Sequence, residues 1–197
     1  MFLKVLLSLV LSSLLSFSAY ASNDSIPMVV ETQCMTCHTS ATIIDAPFIA
    51  GQKKSFIEWE LFNFKNKVRV HEIMNTAMQN FSDDEVREMA EYISNLSLCK
   101  SQADMDDHSN ADVDNGRRIF MTSCKACHLK TPAGVGPVLH GQKTSYMEFA
   151  IRSFRSNQDS PRPSKVGMNI FVDTLSDQEI ADVAAYLNTQ KLCDDYR

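Results

Sequence analysis

The chain has 197 residues, with 24 acidic against 19 basic side chains and a net charge of −5 at pH 7. That balance excludes nucleic acid as a partner, because phosphate recognition needs an excess of lysine and arginine. Six cysteines are the residues whose chemistry most needs an account.

Residues 1–21 read as a secretory signal. Lys4 supplies the positive start, residues 5–15 form an apolar run broken only by serines, and Ala19-Tyr20-Ala21 is a small-x-small cleavage site. The mature chain then starts at Ser22 and carries a net charge of −6. The alternative is an uncleaved anchor, but the apolar run is short for a span and no other run reaches spanning length.

A helix predicted over 26–33 runs into Cys34-Met35-Thr36-Cys37-His38, and one over 115–123 runs into Cys124-Lys125-Ala126-Cys127-His128. Cys-x-x-Cys-His is the attachment signature of c-type haem. Two thiols on one helical turn can form thioethers to the porphyrin, and the adjacent imidazole can reach the iron. Zinc would need a fourth ligand in each half, and a thioredoxin-like pair would need a βαβ context that the pattern lacks. The expectation is two covalently bound haem c groups, held by Cys34, Cys37, Cys124 and Cys127, with His38 and His128 as iron ligands. Export fits this reading, since the cofactor is attached outside the cytoplasm.

Further along, the chain repeats itself. At a shift of 90 residues the motifs coincide, Pro47 falls on Pro137, Gly51-Gln52 on Gly141-Gln142, and Phe64-Lys65 on Phe154-Arg155. At a shift of 94, Ser82-Asp83 falls on Ser176-Asp177, Tyr92 on Tyr186 and Cys99 on Cys193, so the second half carries four extra residues before its last helix. The repeat predicts two copies of one domain, over 22–99 and 112–197, joined by a polar linker over 100–111. Each copy is small enough for an apolar core to be marginal, and a haem supplies the missing apolar body. The first half holds 6 bases and 11 acids and the second 11 and 10, which reads as solvated surface before it reads as two docking faces.

Pro47 and Pro137 each lie nine residues after the histidine, where a carbonyl can accept the imidazole Nδ1–H. Helices over 53–66 and 143–156 carry aromatics at helical spacing, namely Phe56, Trp59 and Phe64 against Tyr146, Phe149 and Phe154. The last helix of each half opens with a capping box, Ser82-x-x-Glu85 and Ser176-x-x-Glu179, and in the first half Val86, Met89, Ala90 and Ile93 form one apolar stripe. No segment alternates long enough for a sheet, so the fold class is all-α with long loops around the haem.

Methionine raises the potential of a low-spin haem, and ten are present. Met74 and Met168 each lie eight residues before the capping serine, which makes them the sixth ligands; Met78, which matches Met168 at the other shift, is the rival for the first half. His71 and His140 do not repeat and are read as non-ligands. Arg152, Arg155 and Lys65 either neutralise propionates or are plain surface charges. Cys99 and Cys193 either bridge the two halves or stand as separate thiols.

This ordered set, from the attachment motif through Pro47-Phe48-Ile49-Ala50-Gly51-Gln52, Met74 and Phe81-Ser82-Asp83 and again through the second half, resembles the di-haem cytochrome c4 family, two class I cytochrome c domains in tandem. The resemblance implies His/Met ligation at both irons, a pseudo-twofold domain pair and an electron carrier in the periplasm. It would pass single electrons from a quinol-oxidising complex or dehydrogenase toward a terminal oxidase or reductase, meeting membranes only by docking to their complexes. The competing readings are a di-haem subunit of a larger dehydrogenase and a small di-haem oxidoreductase; the last needs an open iron site, which two methionines argue against.

Overall fold

The structure is a computed structural model and describes residues 25–40, 42–97, 110–128, 134–155 and 165–190. The signal segment, most of the linker, Cys99 and Cys193 lie outside the described residues. Each half starts with a helix that runs into the attachment motif. In the first half, α1 (Ile26–Val29) passes into a π-helical segment (Val30–Cys34) and then α2 (Met35–His38). Then come α3 (Lys54–Lys65), α4 (Glu72–Met78) and α5 (Asp83–Asn95). In the second half, α6 (Val113–Ile119) passes into a π-helical segment (Phe120–Cys124), followed by α7 (Thr144–Arg155), α8 (Lys165–Val172) and α9 (Asp177–Thr189). Among the described residues there is no strand, as the absence of alternation predicted.

The two π-helical segments occupy the same place in the repeat, each ending on the first thiol of its motif. Each widens the turn by one residue, with the Lys125 N–H reaching back to the Phe120 carbonyl at 2.9 Å and the Met35 N–H to that of Val30. α5 and α9 start at Ser82 and Ser176, and both boxes are closed, serine to the backbone N–H and glutamate back to the cap. The short helices α4 and α8 stand where long loops were expected; α4 is capped by the His71 ring.

The last helix of each half packs across the first. Val86, Met89, Ala90 and Ile93 are buried in one core, and Ile180, Val183, Ala184 and Leu187 fill the same places in the other. The crossing is packed by a size exchange. Ile26 and Val30 fill it in the first half, whereas Gly116 and Phe120 do so in the second. Gly116 sits so close to α9 that a Cβ there would lie 1.9 Å from the Asp182 carbonyl oxygen, and Phe120 takes the freed space against Tyr186, ring centroids 5.7 Å apart. The Asp182 carboxylate is 2% exposed. It accepts from Asn115 Nδ2 at 2.7 Å, the Asp112 N–H at 2.9 Å and Gln178 Nε2 at 2.9 Å, which clasps the start of α6 to α9.

Gly51 and Gly141 have φ of +68° and +70°, a left-handed turn that glycine adopts without strain. Their N–H groups donate to the Ile93 and Leu187 carbonyls at 3.0 and 2.8 Å, tying each loop to the end of the last helix. The turn delivers the next residue, glutamine, into the other half. Gln52 Nε2 donates to the Val138 carbonyl while its Oε1 accepts the Val138 N–H, both at 2.9 Å. Gln142 makes the mirror pair with Phe48, at 2.9 and 2.8 Å. The halves thus face each other across a pseudo-twofold axis.

Candidate functional site

In the second half, the π-helical segment and the turn after it present Cys124, Cys127 and His128 to one side of a cavity of about 590 Å³. Met168 and Phe171 of α8 line it too, and the first half closes it with Phe56 and Trp59 of α3. Trp59 and Phe149, read as part of an aromatic stripe, are 37% and 40% exposed, and Trp59 serves the neighbouring half's cavity instead of its own core.

His128 is 7% exposed and its Nδ1–H donates to the Pro137 carbonyl at 2.9 Å; His38 is 8% exposed and donates to Pro47 at 2.7 Å. A carbonyl can only accept, so Nδ1 carries the proton and Nε2 keeps its lone pair. This is the hydrogen bond that the proline spacing predicted. Burial lowers the pKa of both imidazoles, the carbonyl acceptors work against it, and a lysine of the opposite half lowers each further, Lys143 for His38 and Lys53 for His128.

The thiols are free. Burial is the main cause that pushes Cys124 up to about 11 and raises Cys34 as well. A redox-active pair needs the opposite shift, toward thiolate. Among the described residues no group of three or more His, Cys, Asp or Glu side chains is placed to hold a metal ion. An apolar cavity of porphyrin size with two thiols, an oriented imidazole and a thioether on its walls fits haem c.

In the first half, Met74 and Cys34 both pack on the rim of the core, as Met168 and Cys124 do in the second. Met78 is 3% exposed within the core, and Val172, its counterpart at the later shift, is 4% exposed. That position therefore asks only for an apolar side chain. His71 has both ring nitrogens engaged: Nδ1 accepts the Met74 N–H at 3.3 Å and Nε2–H donates to Asp45 at 3.0 Å. His140 stands edge-on to Phe120 at 5.1 Å.

Lys65 pairs with Asp83, and Arg152 and Arg155 with Asp177. These cations fasten α3 to α5 and α7 to α9 at the surface. Sequence reasoning missed Lys53 and Lys143, whose amines cross into the opposite half; the available signal was the complete triplet Gly-Gln-Lys, present at 51–53 and 141–143.

The Cytochrome c family model matches residues 27–97 and again 113–191. The chain belongs to the cytochrome c family. This tandem cytochrome c is 25% identical to cytochrome c4 of Pseudomonas aeruginosa over 93% of its own length and 97% of the relative's. It superposes on the structure of cytochrome c4 from Acidithiobacillus ferrooxidans with a TM-score of 0.66 and 26% identity, over 79% of this chain and 98% of that one. It is also 28% identical to a subunit of nicotinate dehydrogenase from Pseudomonas putida, over 73% of this cytochrome and 14% of that protein. The resemblance to di-haem cytochrome c4 read from the motifs thus extends to the whole fold, and two cytochrome c domains imply two haems.

Proposed function

We propose that the chain is a periplasmic di-haem electron carrier that passes single electrons between respiratory partners, with His38 and Met74 ligating one iron and His128 and Met168 the other. The observation that carries the reading is the second-half cavity, whose walls offer the buried His128 and the half-buried Met168 together with Cys124 and Cys127. Haem, when bound, supplies a one-electron couple at its iron. The chain's own residues do the rest. Cys34, Cys37, Cys124 and Cys127 anchor the group covalently. The Pro47 and Pro137 carbonyls fix each imidazole and raise its basicity. The methionine thioethers favour the reduced state, and the apolar walls keep water away. Two closed ligand sets leave no position for a substrate, which suits a carrier.

The test is the near-infrared charge-transfer band of sulfur-ligated ferric haem. Met74→His and Met168→His are each expected to remove about half of it, whereas Met78→His leaves it intact. Loss of the band in Met78→His would move the first ligand to that residue.

The similarity to part of a dehydrogenase favours a second reading, in which the chain relays electrons for a larger complex. Affinity purification from the native periplasm separates the two: a carrier comes out alone, whereas a component of a complex carries a stoichiometric dehydrogenase with it.

A further inference from the structure

Behind the paired glutamines, the third residue of each triplet reaches further into the opposite half. Lys53 Nζ donates to the Gly134 and Gly136 carbonyls at 2.7 and 2.8 Å. Both carbonyls belong to the loop between His128 and Pro137, and the Gly136 backbone presses on the imidazole, since a Cβ there would lie 2.7 Å from the ring. Lys53 also lines the second-half cavity. The mirror arrangement holds on the other side. Lys143 is 2% exposed, and its Nζ donates to the Ser40 and Ile43 carbonyls at 2.9 and 2.5 Å, within the loop between His38 and Pro47.

Partial burial lowers the pKa of Lys53 from its ordinary value, while carbonyl acceptors favour the ammonium form of an amine. A positive charge held in a water-poor interface acts over a longer range than one at the surface. It favours the less positive state of a neighbouring iron, and charge and burial are among the levers by which a protein sets a haem potential. The arrangement is crossed: each amine sits against the histidine loop of the half it does not belong to.

We propose that Lys53 and Lys143 are crossed positioning charges, each raising the reduction potential of the haem in the other half. The proposal rests on the di-haem reading above.

The test uses the full chain with both haems loaded, verified by haem content. Shifted haem-methyl resonances, assigned through contacts with the attachment residues Cys34 and Cys37 in the first half and Cys124 and Cys127 in the second, follow each iron separately through a redox titration. Lys53→Met is expected to lower the one-electron reduction constant of the second haem about tenfold, equivalent to about 59 mV, and to leave the first within threefold. Lys143→Met does the reverse. Lys53→Arg keeps the charge and holds the second haem near its native potential. Gln52→Ala loosens the same interface without removing a charge and moves neither wave. Should Lys53→Met fail to load its haems, Lys53→Gln, which keeps a donor for the carbonyls, carries the same expectation. The proposal is overturned if neutralising Lys53 moves neither haem, moves the first, or moves both equally, or if Gln52→Ala reproduces the shift. Failure of the ligand reading shows separately, in the near-infrared band.

Discussion

Gly136 shows how closely one side chain is fitted. A Cβ at this position would lie 2.7 Å from Cε1 and Nδ1 of the His128 ring, while the first half carries Ala46, buried, at the matching place. The histidine loops are equal in length yet not interchangeable. Gly136→Ala is expected to tilt the imidazole off its Pro137 acceptor and to destabilise the second half by about 1–3 kcal/mol. Thermal unfolding, followed in the Soret dichroism of each haem, would show the first half unmoved and Ala46→Gly without this effect on His38. At this scale the sequence was most legible where chemistry is local. The two cysteines, the histidine and the proline nine residues on lie within one short stretch of chain, and the spacing alone announced the hydrogen bond that forms. The repeat of Gly-Gln-Lys marks Lys53 and Lys143, but their acceptors lie more than 80 residues away, beyond the reach of any local pattern.

Among the elements, α3 and α7 matched their expected spans to within a residue at each end, and α5 and α9 start where their capping boxes placed them, since stripes and capping boxes are strong signals. The short helices α4 and α8, with 7 and 8 residues, were missed because so few residues make no clear stripe, and α4 takes its cap from a histidine ring. The π-helical segments were invisible too; nothing in the spacing distinguishes a widened turn from a regular one. The Asp182 clasp belongs to the second half alone. Burial presses its carboxyl toward protonation, but the hydrogen bonds from Asn115, Gln178 and the Asp112 N–H outweigh this and hold its pKa below the ordinary aspartate range. A lowered folded pKa contributes stability above the unfolded value and loses it as pH falls through the folded one. Urea unfolding should therefore show Asp182→Asn weaker than the native protein by about 1–2 kcal/mol at neutral pH. That gap should close below about pH 4.

Across the whole molecule, the repeat foretold two like domains, and the fold holds them. What it did not foretell was how they meet. Four buried hydrogen bonds between the Gln52 and Gln142 side chains and the opposite backbone, two donated by each side, satisfy groups that would otherwise be stranded. Replacing both glutamines with alanine is expected to uncouple the halves. Calorimetry should resolve one unfolding transition into two, and the radius of gyration should rise in solution scattering.

The reciprocity of those four bonds has a consequence for symmetry. A patch in which residue i grips j while j's counterpart grips i's is the self-complementary contact of a symmetric homodimer. This chain carries such a contact within one polypeptide. The tether replaces a concentration-dependent encounter with a permanent one, and nothing obliges paired positions to match, as Ile26 and Gly116, or Ala46 and Gly136, show.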